Sequence, residues 1–476
     1  MKVLLINPPQ RQYQSSHGFG INVPLGLLYL AAAIRDEFEV RILDCLITGF
    51  EIRKHDDRTD FGASPDRIYK EIAAYQPDVV GITIPFSSQS ESSHMVGEIC
   101  RAVNPNITTV FGGPDPSIRY DSLMRKPFCD HCVVGEGERA FLELLQALRD
   151  GKQTQGIEGV PWWLGSTIQL TRRRGVKDLD TLPWPAYDMI NIESYMQNPY
   201  LYKNREFEAM RPRQISVITS RGCPYKCTFC SISLHMGRHY RYHSPENVIR
   251  HLKHLIETYD IRDFKFEDDN VSMRPKRFEA ILDWIIEADL GLQWSVPNGM
   301  RADTLNLPLL EKIKRSGCQK IRIAIESGNP RVLEELVCKG ETLEDMLWVA
   351  RESYRLGLNQ AAFYVIGFPG ETLDEMSQTV DLALDLWRRY QLAPSLYLAT
   401  PLFGTQLYDE CVSKGYIDEN MTDRQLAVAT QTCSTAPMIE TPEFSRKEIL
   451  ALTKDYAQKR KQIEERHRKS QSHVAA

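Results

Sequence analysis

The chain has 476 residues, enough for two to three domains at roughly 150 residues each, and its 42% hydrophobic and 25% charged content suits soluble globular protein. A formal net charge of −5 argues against a general nucleic-acid binder, which is normally basic. Eleven cysteines are an odd number spread along a long chain, so a disulfide framework is not expected and clustered cysteines point to ligand or redox roles.

The first stretch, MKVLLINPP, is too short for a secretory apolar region and lacks a small-residue cleavage site. The longest apolar run, Leu25 to Ile34, falls short of the roughly 20 residues of a membrane helix. A cytoplasmic protein with no transmembrane segment is the expectation. The first part of the chain alternates short apolar runs with helical patterns. Strands are predicted at Val3–Ile6, Val40–Leu43, Val79–Thr83, Thr109–Phe111 and Cys132–Val134. Helices are predicted at Leu25–Asp36, Pro65–Tyr75, Met95–Val103 and Ala140–Leu148. That alternation specifies a doubly wound parallel α/β sheet, whose ligands bind at the carboxyl ends of the strands. Asn7, Thr83, Ser87, Gly112, Gly113 and Glu136 fall at those ends. Glycine there lets backbone approach a large ligand closely; glycine and proline also punctuate ordinary βα loops.

Residues 150 to 210 read as a connector. It holds Trp162, Trp163, Trp184 and Tyr187, a basic run Arg172–Arg174 that suits a solvated turn, and a proline-rich stretch Asp178–Asp188 expected to drape over both neighbours. Alternation resumes near Gln214. Strands are predicted at Ile215–Thr219, Asp263–Glu267, Gln293–Val296, Lys320–Ile325, Ala361–Ile366 and Ser395–Ala399, with helices such as Pro245–Tyr259, Arg277–Ala288 and Leu343–Leu356 between them. Six βα units are too few for an eight-stranded barrel and fit a partial (β/α)6 barrel. From Thr441 a charged helix with a disordered end is expected, basic through Lys459, Arg460, Lys461, Arg466, Arg468 and Lys469. The organisation is therefore 1–150, 151–210, 211–430 and 431–476.

Residues 220–231 read SRGCPYKCTFCS, which brings Cys223, Cys227 and Cys230 within eight residues. Thiolates hold iron–sulfur clusters, and a four-iron cubane normally takes four. Three local ligands leave one iron open for chemistry. The alternative is structural zinc with His235 or His239 as fourth ligand. Zinc cysteines usually come as separated pairs, and this triad directly follows the first barrel strand. In Ile321–Gly328 (IRIAIESG), alternation puts three isoleucines on one face and Arg322, Ala324 and Glu326 on the other. Charge on a barrel's inner face needs a ligand or a partner; an Arg322–Glu326 pair is one way to satisfy it. Cys318 and Cys338 read as core or helix positions. Cys411 and Cys433 read as buried small side chains or as part of a pocket.

The pattern Cys-x-x-x-Cys-x-aromatic-Cys, with Phe229 before the last cysteine, resembles the signature of the radical S-adenosylmethionine superfamily. The resemblance implies a 4Fe–4S cluster on Cys223, Cys227 and Cys230 whose open iron chelates S-adenosylmethionine. Phe229, Asp268, Asp269, Glu326 and Ser327 match segments that contact this cofactor, although the aspartates could instead cap the next helix. Tyr364–Thr372 (YVIGFPGET) and Pro401–Thr405 (PLFGT) resemble the family's fifth- and sixth-strand ends, with Phe403 where proline is commoner. Val23–Arg35, Pro77–Thr83, Val110–Pro114 and Val133–Glu138 look like the cobalamin-binding domain of one subfamily, which implies cobalamin contacts for Asn7, Thr83, Ser87, Gly112, Gly113 and Glu136. The usual Asp-x-His-x-x-Gly motif is missing. Its nearest lookalike, Asp44 to Gly49, has Leu46 at the histidine position, so no histidine lower ligand is expected from it.

The resemblance implies a C-methyltransferase acting on an unactivated carbon of a small-molecule or lipid substrate. An electron donor such as flavodoxin or ferredoxin would reduce it, and no nucleic acid would take part. A non-methylating radical cyclisation, rearrangement or oxidation is the alternative. A methylthiotransferase fits less well, because Cys45, Cys100, Cys129 and Cys132 do not form a second triad. A non-catalytic cobalamin- or metal-binding protein is a further reading.

Overall fold

The computed structural model describes residues 1–13, 20–172, 175–198, 200, 213–418, 420–432 and 434–474, with backbone alone for 432 and 466–474. Arg173, Arg174, Cys433 and the side chains of Arg466, Arg468 and Lys469 therefore lie outside the described residues.

The first sheet has five parallel strands, β1 (Lys2–Asn7), β2 (Glu39–Asp44), β3 (Val79–Thr83), β4 (Thr108–Gly112) and β5 (His131–Val133), in the order β2-β1-β3-β4-β5. The run VLLI in β1 is apolar on both faces because both are covered, as parallel sheets require. Val3 and Leu5 pack under α1 (Leu25–Ile34) and α5 (Gly137–Arg149). Leu4 and Ile6 pack under α2 (Pro65–Tyr75) and α3 (Ser90–Val103). A further helix, α4 (Pro114–Met124), follows β4. No helix is among those predicted there, yet its Pro-Asp-Pro start suits a first helical turn, where proline's missing N–H has no partner to lose. Strand order reverses between β1 and β3, the place where such sheets open a crevice.

The second sheet has six parallel strands in sequential order: β6 (Gln214–Val217), β7 (Asp263–Phe266), β8 (Gln293–Ser295), β9 (Cys318–Glu326), β10 (Gln360–Ile366) and β11 (Leu392–Leu398). It is open, as six units imply. The outward residues Phe264, Phe266, Trp294, Ile321, Ile323 and Ile325 join the main apolar core. That core lies against α6 (Pro245–Tyr259), α7 (Pro275–Ala288), α8 (Leu307–Arg315), α9 (Leu343–Arg355) and α10 (Leu373–Tyr390). The alternate residues Lys265, Lys320 and Arg322 are also buried, so the inner face is polar.

The connector does lie on both neighbours. Ala186 N–H donates to Leu28 O (3.1 Å), and Trp184 Nε1 donates to Asn247 Oδ1 (2.8 Å). After α11 (Gln406–Ser413), helix α12 (Asp423–Thr432) returns to the first unit, packing on α3 and on the turn Ser87–Gln89, and Gln431 Nε2 donates to Arg11 O (2.8 Å) on a short strand, Gln10–Gln12, outside the five-stranded sheet. The last helix, α13 (Arg446–Val474), packs on α10. It continues as helix to Val474, where the sequence suggested a disordered end; Tyr456 and Ile463 bury one side of it. Cys318 and Cys411 are buried, whereas Cys338 sits in a turn with φ of 53° and partial exposure, neither core nor helix. No described helix is long and apolar enough to cross a membrane.

Candidate functional site

The cysteine loop follows β6 through a two-residue strand, Ser220–Arg221, paired antiparallel with Arg241–Tyr242. Gly222 has φ of +85°, and a Cβ there would meet His239 O at 2.5 Å, so only glycine fits this bend. Several bonds hold the loop. Cys223 N–H donates to Gly237 O (3.2 Å), and Thr228 N–H and Oγ1 donate to Val337 O (3.1 Å) and Leu336 O (2.7 Å). The Arg301 guanidinium stacks 3.4 Å from the centre of the Tyr225 ring. Cys223, Cys227 and Cys230 are free and half-buried. Burial raises all three thiols, Cys230 to about 12. The cations Lys339 and Arg301 act in the opposite sense on Cys223 and Cys227. Thiolate ligation here must therefore release protons.

A cubane gives each thiolate its own iron, so three free thiols on one glycine-turned loop fit a cluster.

Asp268 and Asp269 follow β7 and cap no helix, because α7 starts later, with Arg274 at its N-cap. Asp268 is buried and accepts from Thr219 N–H (3.2 Å), Thr219 Oγ1 (2.7 Å) and Ser220 Oγ, so its oxygens brace the strand before the loop. Among the described residues Asp269 accepts only from Gly222 N–H (3.3 Å), and burial together with Asp268 pushes its carboxyl up to about 6. The buried Asn270 Nδ2 beside it has no hydrogen-bond partner among the described residues.

A register shift between Ala324 and Glu326 ends β9, and Glu326 has φ of 64°. Strain of this kind in a non-glycine residue gathers at functional sites. Its partner is not Arg322 but Lys339, buried and 3.1 Å away. Ser327 Oγ bonds Thr379 Oγ1 (3.0 Å) and accepts from Asn329 N–H (3.1 Å). The Phe229 ring meets Phe368 of the loop after β10 at 5.8 Å.

A cavity of about 360 Å³ opens at the carboxyl ends of the first sheet. Asn7, Thr83, Gly112, Gly113 and Glu136 line it. Ser87 does not; it lies in a short turn covered by α12. The sheet side of the wall is mainly glycine backbone and apolar side chains, which suits a large flat ligand lying close to main chain. The opposite wall comes from the second unit: Ile218, Arg221, His235 and Met236. Burial holds His235 neutral, near 4.

Glu136 is not a free ligand group. Arg221 donates to Glu136 (3.2 Å) and Glu138 (2.7 Å), Arg241 pairs with Glu136, and all four side chains are at most 7% exposed. Arg221 also lies over the Tyr29 ring, 5.0 Å from its centre. Asn7 Nδ2 donates to Asp44 (2.9 Å), which also accepts from Leu46 N–H (2.8 Å) and Tyr195 OH (2.5 Å). The Asp44–Gly49 lookalike thus serves as a turn. Arg221, Arg301 and Lys339 were not singled out in the sequence, and His235 was weighed there only as a zinc ligand. Arg221 alone carried a signal there, a charge beside the first cysteine at the end of a buried strand.

Residues 217–383 match the Radical SAM superfamily, and residues 19–145 match the B12 binding domain. An uncharacterized methyltransferase of Pyrococcus horikoshii is 31% identical over 423 residues, covering 88% of this chain and 84% of its own. The cytidylyl-2-hydroxyethylphosphonate methyltransferase of Streptomyces wedmorensis is 29% identical, covering 88% and 83%. The anaerobic magnesium-protoporphyrin IX monomethyl ester cyclase of Rubrivivax gelatinosus is 25% identical, covering 74% and 61%. Among solved structures, the radical S-adenosylmethionine methyltransferase TsrM of Kitasatospora setae shares the fold, with a TM-score of 0.71 at 17% identity, over 95% of this chain and 90% of that one. The chain belongs to the radical S-adenosylmethionine enzymes with an N-terminal B12-binding domain, whose cofactors are a 4Fe–4S cluster, S-adenosylmethionine and cobalamin.

Proposed function

We propose that this enzyme methylates an unactivated carbon of a small-molecule or lipid metabolite. When bound, the cofactors supply reductive cleavage of S-adenosylmethionine and a transferable methyl group, while the protein positions them and excludes water. Cys223, Cys227 and Cys230 hold the cluster. Asp269 and Glu326 would receive the charged end of S-adenosylmethionine, with Ser327 and Phe229 as further contacts, while Asp268 braces the strand before the loop. Thr83, Gly112 and Gly113 bed cobalamin, with Asn7 at the end of β1 and Glu136 held by its arginines. Ser87 stands behind that wall. The division into 1–150, 151–210, 211–430 and 431–476 belongs to this reading.

One observation carries it. The cavity at the switch point of the first sheet is closed by Arg221, His235 and Met236, residues that flank the cysteine loop in sequence. A ligand in that cavity therefore faces the cluster segment directly, as transfer between two cofactors needs. The test is to incubate anaerobically reconstituted protein with reductant, S-adenosylmethionine and candidate substrates. Both 5′-deoxyadenosine and S-adenosylhomocysteine are expected, and the absence of both with every substrate tried sinks the proposal. The cyclase relative favours a second reading, a radical cyclisation or oxidation without methyl transfer, in which 5′-deoxyadenosine forms alone.

A further inference from the structure

The outer surface of the cysteine loop is basic in a chain whose formal net charge is −5. Pro224 and Lys226, at the tip of the loop between the first two cysteines, are exposed. Arg238 is exposed on one side and donates to Tyr225 O at 2.9 Å. On the other side Tyr225 OH contacts Met273 Sδ at 3.9 Å. The next residues, Arg274 and Lys276, are exposed as well. None of Lys226, Arg238, Arg274 and Lys276 meets a carboxylate at ion-pair distance among the described residues. Asp303 and Glu341, the acids whose charges act on Tyr225, are both paired with Arg301, at 2.8 and 3.7 Å.

Two of these cations also sit where they work against the fold. Arg274 is the N-cap of α7 and Lys276 lies in its first turn, which holds no acidic residue. A helix start carries partial positive charge and favours acidic side chains. Cations there add to that field instead of balancing it.

We infer that this face docks an acidic one-electron carrier protein. The inference rests on the cluster reading and adds the surface through which the cluster is reduced. The carrier is oxidised by one electron and the cluster takes up that electron; no proton or atom moves between them. The cluster loop is exposed at Lys226, so a carrier seated there meets the loop itself. The rest of an acidic molecule repels an acidic partner, so the patch orients the encounter as well as strengthening it. Tyr225, clamped by Arg301, Arg238 and Met273, keeps the tip rigid for docking.

The test uses the reconstituted full chain with flavodoxin, reduced beforehand, as the probe. Stopped-flow absorbance follows bleaching of the cluster. The same measurement with photoreduced deazaflavin, small and uncharged, serves as control. In the pair Lys226→Glu and Arg274→Glu, the second-order rate with flavodoxin is expected to fall about tenfold or more at low salt and to lose its salt dependence. The deazaflavin rate is expected to hold. An unchanged flavodoxin rate overturns the inference. If both reductants slow in the reversal pair, the milder pair Lys226→Gln and Arg274→Gln decides: slowing with flavodoxin alone supports docking, and equal slowing overturns it. A wild-type chain in which deazaflavin reduces no cluster overturns the cofactor reading itself, a separate result.

Discussion

If Asp269 receives S-adenosylmethionine as proposed, it is the residue in which pH and ligand binding meet most directly. Burial, with Asp268 second, pushes its carboxyl up to about 6, and one backbone N–H is its recorded donor. A raised carboxyl is protonated below that value and then offers no charge to an ammonium group. Affinity for S-adenosylmethionine is therefore expected to weaken as pH falls through about 6 and to level off above it. Asp269→Asn removes the charge at every pH. It should weaken binding by roughly ten- to a hundredfold, the range of a hydrogen bond to a charged group, and abolish the pH dependence. Calorimetric titration across that range checks both points, and a binding constant that ignores pH in the wild type removes Asp269 from the site. Gly222 tests the loop itself. Its +85° φ and the 2.5 Å approach of His239 O leave no room for a Cβ. Gly222→Ala should displace Cys223 and strip most iron and sulfide from the reconstituted protein. Full iron content in that variant contradicts the loop geometry.

The elements bearing on the site meet through buried charge. Glu136 and Glu138, at the end of β5 and the start of α5, accept from Arg221 and Arg241 on the short ribbon beside the cysteine loop. Removing one partner of a buried pair leaves an uncompensated charge and costs about 3–5 kcal/mol. Arg221→Ala should lower stability in urea denaturation by about that amount, and Arg221→Lys by less; a change below ~1 kcal/mol means the network is solvated. The loop after β10 makes a second prediction. Glu371 accepts from Gly367 and Phe368 N–H, and burial raises its carboxyl to about 8. The folded chain then holds a proton that the unfolded chain releases. This contribution is complete below the ordinary carboxylate range and is lost as pH rises through about 8. Glu371→Gln keeps the acceptor and should flatten that decline, which melting curves across the range will show. These same contacts mark how far sequence reasoning reached. The eleven main strands were legible because runs such as VLLI and IRIAIESG carry their burial pattern in their own residues. The triad was legible because its spacing is local. Lys339 as partner of Glu326, and Arg221 as the joint between units, were not, since each pairing spans turns whose geometry no local pattern encodes. Helix α4 was hidden by its two prolines. Ser87 was placed by proximity to a strand end, and α12, returning from more than 300 residues away, covers that turn instead.

At the scale of the whole molecule, the cavity belongs to neither unit alone. Leu5, Gly81 and Gly112 form one wall and Ile218, Arg221, His235 and Met236 the other. α12 and the Arg119–Phe403 contact, 4.4 Å from guanidinium to ring centre, tie the C-terminal part of the chain back to the first unit. A ligand that fills such a space stabilises both units by mass action. Free cobalamin at a hundredfold excess over its Kd should add about 2.7 kcal/mol if it binds the folded chain alone. Because the walls come from two units, the gain should appear in the unfolding of both. Hydrogen exchange resolves the two contributions: added hydroxocobalamin should slow exchange in β1, β3 and β4 and also in the segment from Ile218 to Met236. Arg221→Ala, which opens the joint, should weaken cobalamin binding and reduce the protection on both sides together. Protection confined to the first sheet would mean that cobalamin sits within that sheet, away from the cysteine loop. In that case His235 would not be part of the ligand's wall, and the two-cofactor arrangement would need a domain movement to bring the cluster within reach.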